Sequence, residues 1–456
     1  MKRIISFICI AALMISVLSA CGGEAVTLMS FMPSNDGALD FGGAQIVCTG
    51  GWSYFHVESD STSLDSDRKR YRTAQVEKEL NVDLVTDFNA KSEDSSYYMT
   101  LYIANNLKWD VSVQRGTPNP IYNMYKAGML EPLEYMGGMD LSDTEVYGTP
   151  ERRRSVTFGG MTYAYNNDLG DDGGNRGFLA YNDHHIKLFG AADPQELYEQ
   201  GKWTFETFAE MLPNVSALSD PENPIYALTL YNDPQMLSFS AVFANGGQVV
   251  KQDASGKYVF ALEDKEATES LEWVADLWET SDIYQESWPP NLFKKGCATF
   301  YLGRTFSIDN ALDADSAVDE FYYIPFPCGP SGEYGVSSGT YASEEGGTVF
   351  FNTSDTDLVG RVFDYWLRFD DYPDNLYLDK DKYELENRYW SQESYDHYKR
   401  GFAVQGYDYF FQIGSELYND FADALYEATI GKSAYSTLFD KYSDRIQAAL
   451  DESLNK

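Results

Sequence analysis

Ile46-Val47-Cys48-Thr49-Gly50-Gly51-Trp52-Ser53-Tyr54-Phe55 is the stretch on which the fold class turns. Apolar and β-branched residues run straight into paired glycines, the pattern of a short buried strand opening into a loop. The spacing then predicts a helix over Asp67 to Leu80 and a second strand at Val82 to Val85. Strand, helix and strand in that order make a βαβ unit, whose two strands must lie parallel.

The same alternation continues outward. Thr204 stands as an N-cap before Phe205, Phe208, Ala209 and Leu212, which share one helical face. Ala267, Leu271, Val274, Ala275 and Trp278 repeat the pattern between Glu266 and Thr280, and Leu438, Tyr442, Ile446 and Ala449 do so near the C-terminus. The class is therefore α/β. No internal repeat or low-complexity tract interrupts it. The stretches richest in helix and strand breakers, Gly170 to Gly177, Pro325 to Gly339 and Phe369 to Asn375, are the expected crossings between two lobes. That division gives one lobe from 44–175 plus 330–370 and another from 176–329 plus 371–456. The 456 residues are ample for two such units.

At the N-terminus, Lys2 and Arg3 precede an apolar run from Ile4 to Leu18, the layout of a secretory signal and too short for a comfortable membrane span. The run closes on Leu18-Ser19-Ala20-Cys21-Gly22, which resembles the lipobox of bacterial lipoproteins. Residues 1–20 are then a lipoprotein signal peptide. Cys21 is the expected acylated N-terminus, the palmitate-type anchor by which the chain is held on the extracytoplasmic face of the cell membrane. Residues 21–43, rich in Gly, Ser, Asn and Asp, read as a flexible tether, with the folded body starting near Ala44.

Acidic residues outnumber basic ones 71 to 34, a formal charge of −37, so nucleic acid and anionic membrane surfaces are poor partners. A hydrophobic share of 43% with 15% aromatics is too apolar for a disordered acidic chain, while a mean hydropathy of −0.40 keeps most of it in water. Beyond Cys9 in the signal and Cys21, the cysteines Cys48, Cys297 and Cys328 are odd in number and widely spaced. They read as small core residues, with one bridge at most.

Catalytic signatures fail one by one. Gly431-Lys432-Ser433 ends like a phosphate-binding loop, but Tyr426 occupies the position of the first required glycine. Gly335-Val336-Ser337-Ser338-Gly339 matches the pattern of a hydrolase nucleophile elbow, yet Pro327, Pro330 and Gly332 precede it where a strand is needed. Carboxylate pairs such as Asp276 with Glu279 carry no information without geometry. Asp168, Asp171 and Asp172 lack the spacing of a calcium loop and read as a solvated turn. No metal, cofactor or catalytic residue is expected.

The order of the remaining motifs resembles the extracellular solute-binding lipoproteins of ABC importers, in the carbohydrate-binding group that includes the maltose-binding protein. The resemblance runs from about Ile46 to the C-terminus. It is carried by Val76-Glu77-Lys78-Glu79-Leu80-Asn81-Val82, by Trp109-Asp110-Val111-Ser112-Val113 and by Ala127-Gly128-Met129-Leu130-Glu131-Pro132-Leu133. Phe158-Gly159-Gly160-Met161-Thr162-Tyr163-Ala164-Tyr165, Leu179-Ala180-Tyr181-Asn182 and the helix start at Trp203 follow in order. Phe243-Ala244-Asn245-Gly246-Gly247 and Phe293-Lys294-Lys295-Gly296-Cys297-Ala298 complete the series. The chain departs from the family where Ala298-Thr299-Phe300 replaces the usual small-Ala-Met segment, and where Arg304 precedes the aromatic Phe306.

The resemblance implies a two-lobed periplasmic-binding-protein-like α/β fold, with a hinge and a ligand cleft between the lobes. It implies a monomeric, non-enzymatic subunit that captures a sugar or oligosaccharide and presents it to ABC permease subunits, touching the membrane through its lipid anchor only. A sugar has apolar faces and a rim of hydroxyls, so its site needs planar side chains to stack on and fixed polar groups around the edge. Residue-wise matching offers Trp52, Tyr54, Gln114 and Arg115 from the first lobe. From the second come Gln235, Asn245, Arg304 and Phe306, with Tyr341 after the second crossing and Tyr418 near the terminal helices. An exported glycoside hydrolase and a glycan-anchoring surface lipoprotein remain as alternative functions, and a peptide or polyol as alternative ligands.

Overall fold

The computed structural model describes residues 39–49, 64–87, 95–115, 120–148, 150–153, 156–165, 175–217, 224–231, 235–286, 291–304, 317–318, 320–343, 346–352, 354–368, 392, 395–396, 398–399, 406–408, 410 and 415–455. The signal segment, Cys21, Trp52, Tyr54, Phe306, the Asp168 to Asp172 cluster and the Phe369 to Asn375 crossing lie outside them.

Strand β1 (Ala44–Thr49), the helix Leu64–Leu80 and β2 (Val82–Asp87) form the expected βαβ unit, with β1 and β2 parallel. The ordered body begins before Ala44, however. The Phe41 and Gly43 amides donate to the Leu80 and Asn81 carbonyls, and Leu39 and Phe41 pack on the first-lobe core. The end of the predicted tether is thus part of the fold, because two apolar side chains there find cover.

After the helix Ser95–Ile103 come β3 (Val111–Arg115), the helix Pro120–Lys126 and β4 (Leu130–Glu131). A small hairpin, β5 (Thr157–Phe158) and β6 (Met161–Thr162), precedes the short β7 (Asn175–Arg176) and the wholly buried β8 (Phe178–Asn182). The second lobe continues with β9 (Tyr226–Leu230), the hairpin β10 (Val250–Gln252) and β11 (Tyr258–Phe260), β12 (Ile283–Gln285), β13 (Ala298–Gly303) and β14 (Phe321–Ile324). Last come β15 (Tyr341–Ser343), β16 (Gly346–Phe351) and β17 (Gly406–Asp408), then two helices, Ser415–Thr429 and Tyr435–Ser453.

Two five-stranded sheets result, ordered β2-β1-β3-β16-β4 and β12-β9-β13-β8-β14. Alternation of side chains across each sheet divides its core in two. In the first, Ile46, Cys48, Val111 and Val113 face the helices Leu64–Leu80 and Thr356–Leu367, while Tyr98, Trp109, Val349 and Phe351 pack on the other side. The buried Arg72 ties those two helices together, its Nε donating to the Trp366 carbonyl at 3.1 Å. In the second sheet, Leu228, Leu230, Phe300 and Leu302 meet the helices Phe205–Met211 and Met236–Ala244, and Phe178, Tyr301 and Tyr323 line the opposite face.

Local signals explain the helix boundaries. Thr204 caps the helix Phe205–Met211, with Thr207 returning a bond to the Thr204 amide, a reciprocal capping box. The helix predicted from Glu266 runs Lys265–Thr280 and buries Ala267, Leu271 and Val274, leaving Asp276 and Glu279 exposed. Gly431-Lys432-Ser433 is the turn between the two terminal helices, and Ser337 lies in a loop after Pro330. Among the described residues no helix is long and apolar enough to cross a membrane.

Cys48, Cys297 and Cys328 are all buried as thiols, as their apolar neighbours implied. Burial, reinforced by the Asp110 charge, pushes the Cys48 thiol far above its ordinary pKa.

Candidate functional site

The strand register shows where the two sheets face each other. β16 runs antiparallel to β3, with Gly346 opposite Arg115, so it enters the first sheet at the carboxyl end of the parallel strands. β8 runs antiparallel to β13, with Phe178 opposite Gly303, and enters the second sheet at the equivalent end. Both entering strands follow directly from one three-stranded sheet, ordered β17-β15-β7. Arg176 pairs with Tyr341, and Tyr341 in turn with Gly406. That small sheet gathers three chain segments at the carboxyl ends of both large sheets, the position at which open α/β sheets take their ligands.

On the first-lobe side, Thr49 ends β1 and sits opposite Ser112 on β3. Ser112 and Gln114 share a face, and Gln114 Nε2 donates to Ser112 Oγ at 2.6 Å. The Tyr98 hydroxyl lies beside Ser112, Thr49 and Gln114, and burial holds its pKa above that of an ordinary phenol. Thr49 Oγ1, Tyr98 Oη and Gln114 Oε1 are buried with no hydrogen-bond partner among the described residues. Each such orphan costs on the order of 1–3 kcal/mol, so the cluster calls for a water or ligand hydroxyl. Arg115 closes β3 next to it.

Across the hinge, the carboxyl ends of β9, β12 and β13 place Tyr231, Glu286 and Arg304. The Arg304 guanidinium lies 5.6 Å from the Tyr231 ring centre, within reach of a cation–π contact. Gln285 Nε2 donates to the Tyr231 carbonyl. Glu286 is 5% exposed, and its Oε2 accepts the Asn291 and Leu292 amides at 2.7 and 2.9 Å. Its Oε1 is buried with no partner among the described residues.

The other second-lobe candidates have gone into packing. Gln235 precedes the helix Met236–Ala244 and donates from Nε2 to the Tyr418 hydroxyl. The Tyr418 ring is enclosed against Phe410 at 5.1 Å. Tyr341 lies face to face with Phe243, the centroids 4.9 Å apart and the planes 8° from parallel, and is fully buried. Both rings were expected at the ligand; the structure places them in the core beneath the hinge because Phe239, Phe243, Phe410 and Phe421 surround them.

Asn245 is likewise engaged at both ends of its amide. Nδ2 donates to the Glu266 carbonyl at 2.8 Å and Oδ1 accepts the Ser331 amide at 2.7 Å. Together with the Gly329 amide on the Ala244 carbonyl, this fastens the segment after β14 to the second lobe. The expected lobe boundary at 330 therefore falls inside a segment that the second lobe holds.

Thr49, Tyr98, Tyr231 and Glu286 were not singled out from sequence. Thr, Tyr and Glu are common in this chain. The rule that ligands lie beyond the carboxyl ends of parallel strands picks out Thr49, Tyr231 and Glu286. Tyr98, on the helix Ser95–Ile103, joins them only by lying beside Ser112, Thr49 and Gln114.

No protein-family model matches the chain, and neither does the sequence of any curated protein. Solved structures do. The cyclic alpha-maltosyl-1,6-maltose binding protein from Arthrobacter globiformis superposes with a TM-score of 0.65 at 14% identity, over 90% of this chain and 100% of its own. The fold is that of a two-lobed solute-binding protein. The sugar-binding protein MalE from Xanthomonas citri (TM-score 0.64, 12% identity) covers 90% of this chain and 98% of its own. An ABC substrate-binding protein from Listeria monocytogenes in complex with cycloalternan (0.62, 11%) covers 90% and 99%. The solute-binding fold thus spans both sheets and the hinge sheet, not one lobe alone.

Proposed function

We propose that this chain is the substrate-binding subunit of an ABC importer, capturing a sugar or oligosaccharide between its lobes and presenting it to permease subunits. The observation that carries this reading is the hinge sheet, from which one strand enters each large sheet at the carboxyl end of its parallel strands. A ligand that touches both ends favours the closed arrangement by its differential contact with the two lobes. Structural neighbours described as binding cyclic alpha-maltosyl-1,6-maltose and cycloalternan support a carbohydrate ligand.

In this reading Gln114, Arg115, Thr49 and Tyr98 receive hydroxyls at the first lobe, and Arg304 and Glu286 do so at the second. Tyr231 offers a ring beside Arg304; Trp52, Tyr54 and Phe306, proposed from the sequence as further stacking rings, lie outside the described residues. Acylation at Cys21 holds the monomeric body on the extracytoplasmic membrane face, and the protein binds its ligand without transforming it.

A thermal-shift screen of the mature chain against mono- and oligosaccharides tests the reading. At about 100 times its Kd, one ligand stabilises the folded state by about 2.7 kcal/mol. An upward shift with one glycan class, accompanied by compaction in small-angle scattering, is expected. Shifts with peptides or polyols alone would overturn the carbohydrate assignment, and release of reducing ends would reinstate the hydrolase.

A further inference from the structure

A second recessed surface of the second lobe shares no residue with the proposed cleft. It is a groove of about 550 Å³ whose walls include Thr204, Phe205, Glu206, Glu210, Glu269 and Trp273. That volume is in the range of small-molecule sites.

Its aromatic wall is built. Trp273 stacks on Phe205 with centroids 3.8 Å apart and planes 11° from parallel, and Phe326 meets the edges of both. The Trp273 indole Nε1 is buried with no hydrogen-bond partner among the described residues. The rim is acidic and unevenly compensated. Glu269 has Lys265 at 3.3 Å and the Ser331 hydroxyl at 2.7 Å. Glu206 and Glu210 sit one turn apart on the exposed side of the helix Phe205–Met211, and among the described residues neither carboxylate meets a lysine or arginine. Like charges at this spacing repel and weaken a helix. A bound cation would relieve the repulsion and gain the aromatic wall at once, whereas a neutral polyol would relieve nothing.

We infer that this groove is a binding site for an organic cation with an apolar body, the ammonium lying between Glu206 and Glu210 and the body against Trp273 and Phe205. Aromatic walls of this kind attract cations through the ring quadrupole, and the net charge of −37 raises the local cation concentration. The inference is independent of what the cleft binds.

Isothermal titration of the full mature chain with benzyltrimethylammonium chloride, and separately with benzyl alcohol as the neutral aromatic, tests it. Saturable binding about tenfold tighter for the cation, weakening as salt rises, is expected. The double substitution E206Q/E210Q should lower the cation's affinity by about tenfold and leave benzyl alcohol unchanged. Both side chains are exposed and their mutual repulsion is removed, so this variant should keep or slightly raise the parent's melting temperature even if Trp273→Leu, which should weaken both probes, does not fold. Equal affinity for the two probes, unchanged cation affinity in the double variant, or no saturation by about 10 mM would overturn the proposal.

Discussion

The two large sheets are built to one plan and buried by different means. Each has three parallel strands, then an antiparallel strand arriving from the hinge, then a short edge strand. The first sheet is covered by its own helices and by the late helix Thr356–Leu367. The second lobe carries in addition the two terminal helices, which bury Phe421, Leu425, Leu438 and Ile446 against the far side of the helix Met236–Ala244. The shared plan brings the carboxyl ends of both sets of parallel strands to the hinge sheet. At the strand ends of the first lobe stand Thr49, Gln114 and Arg115; at those of the second stand the buried carboxylate of Glu286 and Arg304.

The sharpest way to break the comparison is to unload each core in turn. Trp366 anchors the first lobe at 1% exposure, and Trp203 anchors the second at 0%, donating from Nε1 to the Pro325 carbonyl at 2.7 Å. Replacing either with alanine should cost about 3–5 kcal/mol. Since the lobes have separate cores, calorimetry should show Trp366→Ala lowering one transition and Trp203→Ala the other. A single transition lowered equally by both would mean that the hinge makes the lobes one cooperative unit.

The plan was legible in the sequence wherever a local period or cap carried it. Ile46 to Thr49, the helix ending at Leu80 and the strand from Val82 all formed as read, because glycine pairs and apolar spacing act within one element. The candidate site was legible only as far as the positions of its residues along the strands. Gln114, Arg115 and Arg304 lie at carboxyl ends of parallel strands, but Tyr341 and Tyr418 turned inward. Nothing local distinguishes an aromatic that stacks on a ligand from one that stacks on Phe243; only the neighbours brought by distant chain segments do so.

Acid should separate the lobes next. The described histidines, His184 and His185, both belong to the second lobe. Thr299 Oγ1 donates to the Val215 carbonyl at 2.6 Å, so in the 3.2 Å contact with His185 Nδ1 it accepts, and the neutral ring carries its proton on Nδ1. Burial, aided by the charge of His184, holds the His185 pKa down at about 4. In the unfolded chain the value is about 6.5, so between these two pH values the unfolded state takes a proton that the folded state refuses. Stability present above about pH 6.5 is therefore lost as pH falls toward 4, by up to about 3 kcal/mol, with no further loss from this group below. Carboxylates with lowered pKa, such as Asp87 in the first lobe and Glu320 in the second, lose their contribution mainly near and below their ordinary 3.8 to 4.5. Glu131 in the first lobe, raised by burial, acts in the opposite sense as pH falls, so the slope between about pH 6.5 and 5 is the histidine's signature. Denaturant melts from pH 7 to 4 should show the slope in the second-lobe transition, and His185→Gln should flatten it. An equal slope in the first lobe would refute the assignment.

The smallest of the three effects falls where the lobes join, and it tests whether the hinge is more than a connection. Gly177 alone separates β7 from β8, at a φ of +76°. A Cβ there would stand 2.0 Å from the Gly339 carbonyl oxygen and 2.5 Å from Ser240 Oγ, so the backbone at Gly339 can pass this close only because Gly177 has no side chain. Gly177→Ala must open this contact, at about 2 kcal/mol for backbone strain and overpacking. The loss should spare both lobe cores and fall on the register between Arg176 and Tyr341. If that sheet transmits closure, the variant should keep its two unfolding transitions close to the parent's yet lose ligand-induced compaction in small-angle scattering. Full compaction with a 2 kcal/mol loss of stability would show instead that the third crossing, through β17, is enough to guide the lobes together.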